Sequence, residues 1–109
     1  MAVTAKFVEK GDNIDYTAAS DLAYMEIVPL ASRVGVALEP IAAGSVGTVT
    51  LTGAFEMPAA TGAIAVGAEV FWSTATNNIV AATGEKTVHA GWAIAAKAEA
   101  GTTALVRIG

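Results

Sequence analysis

Three side chains in the second half of the sequence, Glu56, Glu69 and His89, are of types that could do acid–base chemistry. Paired carboxylates can act as general acid and base, and a histidine can act as a base when a nucleophile and an orienting acid accompany it. The serines lie in turns or at strand ends, and none has the G-x-S-x-G context of a hydrolase nucleophile. Because surface roles are commoner for such residues, no catalytic residue is predicted and the chain is not expected to be an enzyme.

The sequence also lacks the motifs that cofactor and metal sites require. No two glycines are separated by a single residue, so the dinucleotide fingerprint G-x-G-x-x-G is absent. The segment "ATGEKT" resembles the end of a phosphate-binding loop, but Glu85 separates Gly84 from Lys86 and a charged turn is the better interpretation. With one histidine and no cysteine, a zinc site would need three carboxylates. We therefore expect neither a cofactor nor a metal.

Charge and hydropathy disfavour two classes of partner. The net charge is −4 and the six basic residues are scattered along the 109-residue chain, so the clustered cations that phosphate contacts need are missing and nucleic acid is not expected. The stretch "GAFEMPAATGAIAVGAEVFW" (53–72) is nearly uncharged, but Pro58, Gly62 and Gly67 interrupt it and much of it is alanine. It is therefore not expected to span a membrane. The N-terminus has no apolar run of the kind found in a signal peptide.

The elements that must position these residues are predicted from period-two alternation of apolar and other side chains. Turn signals separate the alternating segments at short, even spacing. We therefore predict one all-β domain over residues 1–109, a small antiparallel β-barrel or sandwich with at most one or two short helical turns, at 59–68 and 93–100. The alternating segments are "NIDYT" (13–17), "RVGVALE" (33–39), "GTVTLTGAF" (47–55), "VHAGWAI" (88–94) and "TALVRI" (103–108).

The large aromatic side chains are the predicted core anchors, because they bury the most apolar area. These are Phe55, Phe71, Trp72 and Trp92. The alternation in 88–94 places Trp92 on the buried side and His89 on the outer side. Strand pairing is expected to end before Pro58, which has no N–H to donate to a ladder. The first residues, 1–7, are expected to form a flexible arm with little to hold it down.

Four segments, in this order and over nearly the whole chain, carry a family resemblance: "FVEKGDNIDYTA", "RVGVALEPIAAGSVGTVTLTGAFEMP", "GAIAVGAEVFWSTATNNIV" and "HAGWAIAAKAEAGTTALVRI". Together they resemble the small capsid decoration proteins of tailed phages, also called capsid cement proteins. That family was long filed as a domain of unknown function, and its members are sometimes labelled phage recombinases. The recombinase label finds no support here, since a strand-exchange ATPase needs a phosphate-binding loop and a larger α/β core.

The resemblance implies a structural protein that binds the outer surface of a phage or prophage capsid and stabilises it. It implies the major capsid protein as partner, homotrimers at capsomer junctions, and a place in the virion after synthesis in the bacterial cytoplasm. We hypothesise that the arm, Ala2, Val3, Thr4, Ala5, Lys6 and Phe7, is the capsid contact and adds a strand to an exposed sheet edge. The alternatives are another head or tail accessory protein, or a small β-barrel ligand-binding module that uses Glu56, Glu69 or His89.

Overall fold

The computed structural model describes residues 2–109; Met1, which belongs to the predicted arm, lies outside that range. The described chain forms nine β-strands and no helix, which confirms the all-β prediction, and segments 59–68 and 93–100 contain no helical turn. None of the described elements is a helix long and apolar enough to cross a membrane. The strands are β1 (Asn13–Thr17), β2 (Ile27–Pro29), β3 (Val34–Ala37), β4 (Val46–Thr50), β5 (Gly53–Pro58), β6 (Glu69–Ser73), β7 (Asn78–Val80), β8 (Thr87–Ala93) and β9 (Thr103–Ile108).

The strands form two antiparallel sheets, in the manner of a β-sandwich. The first sheet has the order β1-β4-β3-β2 and the second the order β5-β9-β8-β6-β7. The second sheet curves enough for one isolated parallel bridge, Ala59 to Ile79, to link the end of β5 to its other edge strand, β7. It does not close into a barrel, so of the two predicted architectures the sandwich is the one that fits.

The chain passes from the first sheet to the second at Leu51 and Thr52. The segment 47–55, predicted as one strand, is therefore two strands in different sheets, separated at Gly53, whose φ is +121°. Such a φ is open to glycine and strained for other residues, so the direction of the chain can change there. The alternation looked continuous because Val49 and Phe55 both pack against apolar residues, Val49 in one cluster and Phe55 against another.

Strand β5 continues to Pro58, contrary to the expectation that pairing ends before it. Met57 pairs with Ala104 and Pro58 with Thr103 of β9. The missing N–H of Pro58 costs little because β5 is an edge strand, where alternate N–H groups point away from the ladder. The extra pairs bring Met57 into the core, where its side chain is fully buried.

The main core lies between the two sheets. Val34 and Val36 of β3 pack there against buried residues of the second sheet. A smaller cluster, which includes Ala37 and Val49, lies on the opposite face of the first sheet. Strand β3 is buried along its whole length and contributes residues to both clusters. The buried partners are Ile64, in the connection between β5 and β6, and the second-sheet residues Met57, Val70, Trp72, Ile79, Ala90, Ala93, Ala104, Val106 and Ile108.

A β-bulge in β8 changes which residues face this core. Val70 of β6 pairs with Gly91, whereas the next residue, Phe71, pairs with His89, so Ala90 is the extra residue. An inserted residue reverses the alternation beyond it. As a result Ala90, Gly91 and Ala93 are buried, whereas Trp92 is 49% exposed.

The predicted core anchors therefore divide. Trp72 is in the core, with 5% of its surface exposed. Phe55 and Phe71 are half-buried, and Phe55 packs against the main cluster. The prediction for Trp92 was wrong, because the bulge turns its indole to the outer face of the second sheet. Valine, isoleucine and methionine side chains supply most of the fully buried apolar surface instead.

Candidate interaction surfaces

The first exposed surface is the N-terminal arm, which we define as residues 2–10. All nine residues are exposed and outside any strand, and Phe7 is 82% exposed. The fold proper begins at Asp12, whose carbonyl oxygen accepts from the backbone N–H of Leu51 at 2.7 Å. Among the described residues no hydrogen bond joins the arm to the remainder of the chain. Its backbone donors and acceptors are therefore available to another protein.

The arm differs from the body of the protein in charge. Lys6 and Lys10 outweigh Glu9, so residues 2–10 carry +1; since the whole chain carries −4, the remainder carries −5. In an extended conformation Val3, Ala5 and Phe7 point to one side, because side chains alternate along a strand. The arm can thus offer an apolar edge next to cationic side chains.

The molecule exposes more surface than its mass requires. Its accessible surface is 6675 Å², whereas a compact monomer of this mass exposes about 5,600 Å². Its radius of gyration is 15.2 Å, against about 13 Å for a compact chain of this length. The projecting arm contributes to this excess surface and to the larger radius, since it adds accessible area without adding to the core.

The second exposed surface is the outer face of the five-stranded sheet, which we call the tryptophan face. Glu69 of β6, Trp92 of β8 and Arg107 of β9 are direct cross-strand partners and form one row across the face. In the next row, Ile94 donates its N–H to the carbonyl of Leu105 at 3.0 Å, and both side chains are exposed. Residues that are opposite each other in a ladder lie on the same side of the sheet. The face therefore combines a central apolar group with charges at its sides.

His89 lies at the edge of the tryptophan face, on the outer side as predicted. Its Nε2 is 3.0 Å from Oε2 of Glu69. Its ring meets Phe71 and Trp92 edge-on, with centroid separations of 5.8 and 6.1 Å. A carboxylate and two aromatic rings thus surround this imidazole, which makes it part of a packed cluster on the surface.

The two carboxylates considered for acid–base work do not come together. Glu56 lies on β5 and Glu69 on β6, and β9 and β8 lie between those strands. These strands are not neighbours in the sheet, and the cross-strand partners of the two carboxylates are Leu105 and Trp92. Across residues 2–109 no three His, Asp or Glu side chains are grouped as metal ligands would be.

One buried charge was not predicted from the sequence. Lys97 is only 6% exposed, and its Nζ donates to the carbonyl oxygens of Gly62, Ala98 and Glu99 at 2.6, 3.0 and 3.5 Å. The ammonium thus ties the loop before β6 to the loop before β9. All its donors are used within the protein, so it is a structural group and offers nothing to a ligand.

The structure brings the six predicted capsid-contact residues, 2–7, together as one exposed segment. The model of the phage cement protein family matches residues 8–108, which is the whole β domain and leaves that segment outside. No curated protein and no solved structure matches the chain.

Proposed function

Since the chain belongs to the phage cement protein family, we propose that it binds the outer surface of a phage capsid as a trimer at the junctions between capsomers. Membership implies the coarser function, a structural protein of the virion that stabilises the phage capsid. The trimer, the junctions and the outer surface are part of the proposal. They rest on the resemblance described above.

The observation that carries the proposal is the arm. Residues 2–10 are exposed and have no hydrogen bonds to the body of the protein. An extended segment of this kind can add a strand to a sheet edge of the major capsid protein, with main-chain hydrogen bonds supplying affinity and alternate side chains supplying specificity. Val3, Ala5 and Phe7 would enter pockets on one side of such an added strand.

Repetition strengthens a contact of this size. Ordering the arm costs conformational entropy, roughly 1–2 kcal/mol per residue for the backbone. A single arm therefore binds weakly, but copies that also hold each other on the shell bind with a raised effective concentration. Trimerisation on the capsid would accordingly make the combined binding of three arms stable although each arm binds weakly.

The test is a sedimentation assay with heads of the source phage that have been stripped of this protein. Heads are mixed with increasing amounts of purified protein and pelleted, and the bound protein is quantified. We expect saturable binding at a fixed ratio to the major capsid protein, and a higher temperature for head rupture when the sites are full. If intact heads pellet without the protein, the proposed capsid attachment is wrong.

The role of the arm is tested by removing residues 2–6. We expect head binding to be lost while the far-UV circular dichroism and the unfolding midpoint stay unchanged, because the arm makes no hydrogen bond to the fold. Replacement of the same segment with Gly-Ser residues of equal length controls for spacing and should also fail to bind. Undiminished binding by the truncated protein would assign the capsid contact to another surface.

A further inference from the structure

The tryptophan face has a charge pattern that is complementary to itself. Strand β8 lies between β6 and β9, so Trp92 has Glu69 at one side and Arg107 at the other, each one strand spacing away. That spacing is about 4.8 Å. The row therefore has an aromatic centre, an acidic side and a basic side at equal distances from it.

From this pattern we infer that the tryptophan face binds the same face of a second copy of this chain, about a two-fold axis that runs along β8. Rotation about that axis exchanges the positions of β6 and β9. Glu69 of each copy then faces Arg107 of the other, and the two Trp92 side chains meet at the axis. Such a contact is isologous, because the same patch serves both partners.

The apolar residues of the face fit the same arrangement. Ile94 follows Trp92 on β8, so it also lies near the axis and meets its own counterpart. Trp92, Ile94 and Leu105 are all large, exposed apolar side chains. Two sheets that pack face to face in this way keep their strands within about 30° of each other and bury such side chains between them. Tryptophan at the centre of a contact is also the residue type that most often dominates binding.

Both charged residues of the row are exposed, so a second copy can reach them. Among residues 2–109 the one contact between a basic and an acidic side chain is that of His89 with Glu69, and Arg107 has no carboxylate partner. Within one copy, Arg107 lies beside an exposed tryptophan but has no acidic partner. Glu69 of a second copy supplies the carboxylate for a charge-assisted hydrogen bond, which a small neutral ligand could not supply.

This contact is separate from the arm and goes beyond the proposed function. Three-fold and two-fold contacts between copies can coexist on a closed shell, so the tryptophan face would join one group of decoration proteins to the next. Because the contact is between copies of this chain alone, it can be measured without capsids.

The experiment is sedimentation equilibrium of the full chain over a range of concentrations, with charge reversals. We expect Glu69→Arg and Arg107→Glu each to weaken self-association by about a hundredfold, since the two-fold places each like-charge contact in the interface twice. The double variant Glu69→Arg/Arg107→Glu should restore association, because the pairs are re-formed with the signs exchanged. Trp92→Ser should abolish association at the two-fold.

Glu85→Arg, in the turn before β8, is the matched control and should associate like the unmodified chain. Circular dichroism confirms that each variant folds. The inference is overturned if the unmodified protein stays a monomer at the highest soluble concentration, or if the single and double charge variants associate equally. If the unmodified protein self-associates but does not bind heads, the proposed function is wrong and this contact between copies still holds.

Discussion

At the scale of single residues, Gly91 and Lys97 determine how the second sheet is built. Gly91 lies where the backbone of β8 is close to that of β9: a Cβ there would be 1.8 Å from the carbonyl oxygen of Arg107. Lys97 holds two loops together from a buried position. Neither residue belongs to an exposed surface, yet both maintain the sheet that presents the tryptophan face.

We expect Gly91→Ala to destabilise the protein by about 3 kcal/mol or more, or to prevent folding. The added methyl group meets backbone atoms, which cannot rotate away as a side chain could. Gly84→Ala is the matched control, because a Cβ at Gly84 meets nothing within 4 Å. Urea unfolding followed by circular dichroism measures both. Equal midpoints for the two variants would show that the close approach of β8 and β9 is not as described.

We expect Lys97→Met to lower the free energy of unfolding by about 2 kcal/mol. Methionine retains most of the side-chain volume but leaves the three carbonyl oxygens without the charged donor, and hydrogen bonds to charged groups are worth about 1.5–3 kcal/mol. Lys86→Met, in an exposed turn, is the control and should change stability by less than about 0.5 kcal/mol. Thermal unfolding distinguishes them; a Lys97 variant as stable as its control would mean that the ammonium contributes nothing net.

At the scale of elements, an unpaired segment and a bulged strand supply the two candidate surfaces. The arm is an unpaired segment: its sequence alternates as a strand's does, but it has no ladder within the chain. Strand β8 has partners on both sides, and its bulge moves Trp92 from the core to the outer face. In both elements, backbone pairing decides what the side chains do.

Prolines in the arm test whether it binds through its backbone. Neighbouring N–H groups of a strand point to opposite sides. One of the two variants Thr4→Pro and Ala5→Pro therefore removes a donor to the partner strand, and the other removes a donor that faces away from it. We expect head binding to fall more for one variant than for the other, with the unfolding temperature of both unchanged. Thr4→Ser and Ala5→Ser are the controls. If both proline variants bind heads as well as their controls, strand addition by this segment is wrong.

At the scale of the whole molecule, the two sheets share one core. Val34 and Val36 of the first sheet pack against the buried side chains of the second, so neither sheet can lose its partner without exposing apolar surface. The single domain expected over residues 1–109 stays a prediction, and cooperative unfolding is its test.

We expect Val36→Ala, in the first sheet, to destabilise the second sheet equally, by about 2 kcal/mol. Both tryptophans belong to the second sheet, Trp72 to β6 and Trp92 to β8, so their fluorescence reports on that sheet and on its packing in the core. Circular dichroism reports on both sheets, and the two signals should share one midpoint that the substitution lowers. Val46→Ala, at an exposed position of β4, should have little effect. Separate midpoints would show that the sheets unfold independently.

The properties that the sequence by itself determined depend either on neighbouring residues or on the sum of many positions. Alternation predicted the exposed and buried sides of β1 and β9, where each strand runs without irregularity, and turn signals predicted an all-β chain. Order and coverage of motifs along the chain predicted the cement protein family. These properties survive because each depends on neighbouring residues or on the sum of many positions.

The tertiary structure alone decided where that alternation breaks. Residues 47–55 divide between two sheets, and the bulge in β8 exists only because of its pairing with β6. The burial of Lys97 depends on loops that are distant in sequence. The row of Glu69, Trp92 and Arg107 likewise comes from three strands that the sequence does not place side by side. Register and strand order are long-range quantities, and a one-residue shift exchanges the two faces of a strand; this is why the core was predicted in outline and the tryptophan face was not.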